Sequence, residues 1–132
     1  MEEIFRKTIV LVEDETDIRA IYKEVLLDAG YDVKDFADGS EAYKYLTTEH
    51  WDLVLLDIMI PGIDGLTILK NLKQNNSLAL KPVVLLTVLD NENVIMDGYG
   101  TGADGYLIKS EIDPSKIVAE VQNFFNELHK DF

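Results

Sequence analysis

The sequence predicts an α/β fold, a doubly wound parallel sheet of five strands. Three observations carry this reading. Apolar, strand-like runs alternate with amphipathic helical stretches throughout the 132 residues, and strict alternation builds parallel strands joined by right-handed crossovers. The run at 53–56 is apolar at every position, as a strand buried on both faces requires. Four runs end in polar groups, Glu13-Asp14, Asp57, Thr87 and Lys109. In an open sheet of this kind ligands bind outside the carboxyl ends of the strands, where the strand order reverses.

The elements follow in order. Thr8–Val12 is the first strand. A helix is predicted over 16–29, with Ile18, Ile21, Tyr22, Val25, Leu26 and Ala29 at helical spacing. Gly30 stops it, as a residue tolerant of positive φ does. Asp32–Phe36 is a weaker second strand. Ser40 is the expected N-cap of a short helix ending at Thr47 or Thr48. The third strand, at 53–56, precedes a helix over 66–74 with Leu66, Leu69 and Leu72 inward, ended by Asn75-Asn76-Ser77. Pro82 introduces the fourth strand, at 83–86. A fourth helix is predicted over 91–99, carrying Val94 and Ile95 and broken by Gly100 and Gly102. Gly105–Ile108 is the fifth strand. Pro114 opens the final helix, a favoured place for proline, with Ile117, Val118, Val121, Phe124, Phe125 and Leu128 on its apolar face.

Composition narrows the function. The length fits one domain. There is no cysteine, hence no disulfide framework and no thiol chemistry. No apolar run approaches the roughly 20 residues that cross a bilayer, and the acidic start Met1-Glu2-Glu3 is unlike a signal peptide. The expectation is a cytoplasmic protein without membrane insertion. Net charge is −13, from 25 acidic and 12 basic residues. Such a surface repels phosphodiester backbones, so no direct contact with nucleic acid is expected.

Glu13-Asp14 and Asp57 close the first and third strands. Adjacent strands lie about 4.8 Å apart, so these carboxylates crowd together. Two unit charges about 4 Å apart repel by about 4 kcal/mol at an effective dielectric of about 20. A hard divalent cation relieves this, and magnesium suits a few carboxylates while keeping several waters; manganese is the alternative. Asp57 is then the candidate nucleophile, since a carboxylate attacking a phosphoryl donor gives an acyl phosphate. Such transfer needs mainly positioning and charge neutralisation. Lys109 supplies a compact cation on a long stem, and Thr87 a hydroxyl for a phosphoryl oxygen. Taken singly, Lys109 reads as a surface lysine, Thr87 as a strand-end hydroxyl and Glu13-Asp14 as helix-capping acids. Their common edge makes them a site.

Over nearly its whole length the chain resembles the receiver domains of two-component response regulators, in a stand-alone, chemotaxis-regulator-like form. The resemblance rests on Ile9 to Asp14, on Asp57-Ile58-Met59-Ile60-Pro61-Gly62-Ile63-Asp64-Gly65, on Thr87, and on Gly102-Ala103-Asp104-Gly105-Tyr106-Leu107-Ile108-Lys109. It implies a flavodoxin-like (βα)5 fold with strand order 2-1-3-4-5, and a single receiver domain over 1–132 (core about 7–130) with no output domain in this chain. It implies phosphorylation of Asp57 by a histidine kinase or histidine phosphotransfer protein. Magnesium would be held by Asp14, Asp57 and the Met59 main-chain carbonyl, with Glu13 acting through a metal-bound water. Thr87 and Tyr106 would form the switch, read by a downstream target on the face of the fourth helix, fifth strand and fifth helix. No enzyme activity is implied beyond magnesium-dependent self-phosphorylation and autodephosphorylation.

Four positions modulate this expectation. Ser110 follows Lys109 where the family usually has proline, commonly with a cis bond; a cis bond at a non-proline residue costs about 3–4 kcal/mol. Val88 is larger than the usual residue after the threonine and crowds the phosphoryl pocket. Met59 and Leu89 flank the phosphate and are apolar, which predicts a persistent phosphoryl group. Glu120 stands near where a subfamily fused to winged-helix domains commonly has a dimer-forming arginine, so a monomer or a weak phosphorylation-dependent dimer is expected. Kinase docking is expected around the first helix, where Ile18, Ile21, Tyr22 and Val25 are candidates, most of them predicted to be core.

Two other functions compete. A non-phosphorylated pseudo-receiver would usually lack part of the acidic set, which is complete here. A haloacid-dehalogenase-like phosphatase would carry a second aspartate two residues after the nucleophile, where this chain has Met59.

Overall fold

The computed structural model describes residues 6–88, 100–109 and 113–128. The elements are β1 (Thr8–Val12), α1 (Thr16–Asp28), β2 (Asp32–Phe36), α2 (Gly39–Thr48), β3 (Leu53–Asp57), α3 (Gly65–Gln74), β4 (Val83–Thr87), β5 (Gly105–Ile108) and a C-terminal helix (Ile117–Leu128) entered through a 3-10 turn at Pro114–Lys116. The helix predicted over 91–99 lies outside the described residues.

The strands pair in parallel in the order β2-β1-β3-β4-β5. The register aligns Val12 with Leu56, Leu56 with Leu85 and Thr87 with Ile108, so the strands end along one edge. Alternation along each strand divides the core in two. Ile9, Leu11, Leu53, Leu55, Val84 and Leu86 pack beneath Tyr22 and Leu26 of α1 and Ile117, Val121 and Phe125 of the C-terminal helix. Val10, Val12, Val54, Leu56, Val83 and Leu85 pack on Ala42 and Leu46 of α2 and Ile68, Leu69 and Leu72 of α3. Fully burying one such side chain contributes about 1.5–3 kcal/mol. Trp51 closes the second layer at the amino end of β3, 1% exposed, its Nε1 donating to Leu46 O at 2.8 Å.

Four sequence expectations need correction. The cap of α2 is Asp38, not Ser40: its carboxylate accepts from the Ser40 and Glu41 amides at 2.7 and 3.2 Å, so the helix starts at Gly39. The buried face of α3 is Gly65, Ile68, Leu69 and Leu72, an i, i+3, i+4, i+7 stripe; Leu66 is only half-buried, at the stripe's flank. On α1, Ile21 is 45% exposed and Ala29 is exposed, because Tyr22 and Leu26 take the inward positions. Strands β3 and β4 each run one residue longer than predicted, making Asp57 and Thr87 their last members.

Candidate functional site

The polar groups meet at the carboxyl edge of the sheet. Glu13 continues β1, its amide donating to Phe36 O at 3.0 Å, and Lys109 continues β5, its amide donating to Thr87 O at 2.7 Å. These ladder bonds fix where the side chains begin. The Lys109 ammonium donates to Asp57 Oδ2 at 2.8 Å and also to the Glu13 carboxylate. Glu13 is fully buried and Asp57 is 6% exposed, while Asp14 is exposed at the mouth. One carboxylate oxygen from each of Glu13, Asp14 and Asp57 lies within 4.8 Å of the others. Asp57 Oδ1 accepts from the Met59 amide at 3.1 Å, and Glu13 Oε2 from the Glu15 amide at 3.1 Å.

Burial opposes the charge on Lys109, but hydrogen bonds and Coulombic attraction from Asp57 and Glu13 outweigh it and raise its pKa above the ordinary lysine value. The ammonium neutralises part of a cluster whose mutual repulsion still favours a hard divalent cation.

Glycine shapes the loop after Asp57. A Cβ at Gly65 would lie 2.3 Å from Asp57 O and 2.8 Å from Ile58 Cα. At Gly39 it would lie 1.8 Å from Ile63 O, and the Gly39 amide donates to Pro61 O at 2.9 Å. The start of α2 therefore seats directly on the loop. Gly62, at φ +82, supplies its left-handed turn.

A cleft of about 290 Å³ opens over this edge, lined by Asp14, Glu15, Asp57, Ile58, Met59, Leu66, Thr87, Val88 and Lys109. The predicted residues Asp14, Asp57, Met59, Thr87, Val88 and Lys109 thus share one cleft, with Glu13 buried against Lys109. Met59 is 69% and Val88 55% exposed, forming an apolar rim. Tyr106 is half-buried and packs against the core layer of α2 and α3. Leu89 and Ser110 lie outside the described residues.

Sequence reasoning missed Arg19 and Asp35. Arg19 Nη1 donates to Glu13 O at 2.8 Å and its Nε to Asp35 Oδ2 at 3.2 Å; Lys23 Nζ holds the other Asp35 oxygen at 2.8 Å. An arginine on the polar side of a helix carries no periodic signal. Its partner on β2 becomes visible only in three dimensions.

The family model described as response regulator receiver domain matches residues 9–122. The chain belongs to this family. It is similar to the alkaline phosphatase synthesis transcriptional regulatory protein PhoP of Bacillus subtilis, 37% identical over 88% of this chain and 47% of the relative. The chain spans about half the length of the curated relatives it matches. Among solved structures, it is similar to the phosphorylated cyanobacterial phytochrome response regulator RcpA, 30% identical, TM-score 0.83, covering 96% of this chain and 98% of that one. It is also similar to the chemotaxis response regulator CheY4 of Vibrio cholerae, 26% identical, TM-score 0.84, covering 91% and 99%. The domain is thus a receiver of the two-component response regulator type, a class of signalling switch rather than of true enzymes. Among the described residues, no helix is long and apolar enough to cross a membrane.

Proposed function

We propose that this receiver domain accepts a phosphoryl group on Asp57 from the phosphohistidine of a kinase or phosphotransfer protein and passes the change to a downstream target. The observation that carries the reading is Asp57 at the strand end, one carboxylate oxygen bonded to Lys109 and the other to the Met59 amide, beside Glu13 and Asp14. In the transfer an Asp57 oxygen bonds to phosphorus while the phosphorus–nitrogen bond breaks and its electron pair stays on the imidazole. Lys109 faces the charge on the phosphoryl oxygens. Thr87 donates its hydroxyl to one of them, and Tyr106 responds as the second half of the switch. Asp14, Asp57 and the Met59 carbonyl would hold magnesium, with Glu13 behind them; the ion, when bound, would neutralise phosphoryl charge. Met59, apolar and exposed at the rim of the cleft, offers no group that would orient an attacking water, and apolar Leu89 is expected from the sequence to act alike, which supports a long-lived aspartyl phosphate. The domain works in the cytoplasm as a monomer or a weak phosphorylation-dependent dimer.

Intact mass after incubation with magnesium and acetyl phosphate tests this. Wild type should gain one phosphoryl mass and Asp57→Ala none. A folded, magnesium-bound wild type that gains nothing would replace the reading with a pseudo-receiver.

A further inference from the structure

We infer that Arg19 is a positioning residue for the acidic cluster: it pins the peptide group that joins Glu13 to Asp14 and anchors it on Asp35 of β2. The inference rests on the proposed magnesium-dependent role of these acids.

The carbonyl that Arg19 Nη1 grips belongs to the peptide between the two acids. A peptide group is planar, so holding its oxygen fixes the direction in which the chain leaves Glu13 and enters Asp14. Glu13 is already held by its amide on Phe36 O and by its carboxylate on Lys109 and the Glu15 amide. Asp14 follows that peptide in an exposed position, so the Arg19 bond acts on the more loosely held of the two acids. The guanidinium suits this task because its planar fork serves two acceptors at once. One edge reaches Glu13 O and the other Asp35 Oδ2, with Lys23 steadying the opposite oxygen of Asp35. The Arg19 side chain is 19% exposed and that of Asp35 26%, so water competes weakly for the bonds. Hydrogen-bonded partners that orient metal-binding groups typically carry 10–100-fold in metal affinity.

Charge alone makes the opposite prediction. Arg19 is a cation near a cation site, so deleting its charge would tighten magnesium binding if only long-range electrostatics acted. The sign of the change therefore separates positioning from field. The measurement is calorimetric titration of the full chain with magnesium chloride, for wild type, Arg19→Ala and Arg19→Lys, alongside amide hydrogen exchange in EDTA. Arg19→Ala should bind magnesium about 10-fold or more weakly. Arg19→Lys keeps the charge and loses the fork, so it should also bind more weakly than wild type. The Glu13 amide should exchange faster in both variants, while those of residues 54–56 stay as in wild type. Magnesium affinity that is unchanged or tighter in Arg19→Ala, or a Glu13 amide at the wild-type rate, overturns the inference. Should Arg19→Ala not fold, Arg19→Lys decides by the same two readouts. Wild type that binds no magnesium sinks the proposed function, and the amide rates then decide the role of Arg19 alone.

Discussion

Lys109→Met tests how the site holds itself together before any metal arrives. Methionine keeps much of the stem's volume and removes the ammonium. Glu13, fully buried, and Asp57, 6% exposed, then lose the cation that among the described residues is bonded to both. Removing one partner of a buried ion pair costs about 3–5 kcal/mol. Each acid retains one amide donor, from Glu15 and Met59, so the lower end, about 3 kcal/mol, is expected. For a domain of this size that lowers Tm by about 10 °C. At a urea m-value of about 2 kcal/mol/M it lowers the midpoint by about 1.5 M. Urea unfolding followed by far-ultraviolet circular dichroism in EDTA reads it directly. Excess magnesium should recover part of the loss, since a ligand of the folded state stabilises by RT ln(1 + [L]/Kd). A midpoint in EDTA within about 0.3 M of wild type would refute the claim that this ammonium holds the two carboxylates together.

Three further outcomes are expected. Gly65→Ala places a Cβ 2.3 Å from Asp57 O, so the loop must shift; about 1–3 kcal/mol of stability should be lost, with slower phosphoryl gain by mass. Asp38→Ala should cost about 1 kcal/mol by removing the cap of α2, and Ser40→Ala much less, checked by the same urea melts. The folded pKa of Lys109 is raised, so its stabilisation is complete below the unfolded lysine value near 10.4 and disappears as pH rises through the folded value; melts across alkaline pH should show that limb in wild type and a flatter one in Lys109→Met.

What the sequence made legible depended on whether a residue's signal was local. The strands could be read because runs such as 53–56 are apolar throughout, and the site because its members close those strands. The cap of α2 was misread because Asp38-Gly39-Ser40 offers two competing caps, and a tertiary contact decides between them: Gly39 must sit where Ile63 O leaves no room for a Cβ. Ile21 was placed on the inward stripe by spacing alone, but the sheet accepts only Tyr22 and Leu26 in full, with Ile18 and Val25 beside them. Arg19 had no local signal, because its function is defined by a carbonyl six residues earlier and a carboxylate on another strand.

The position of Trp51 has a practical consequence. It is the chain's single tryptophan, sealed in the core at the start of β3 while Asp57 ends that strand. Strand β3 runs between them, so the indole and the Asp57 carboxylate lie at opposite ends of the strand, and Trp51 is not among the residues lining the cleft. Its fluorescence should report loss of the core and stay silent to occupancy of the cleft. Unfolding can then be followed without an added dye, by a signal that does not change when the cleft is loaded.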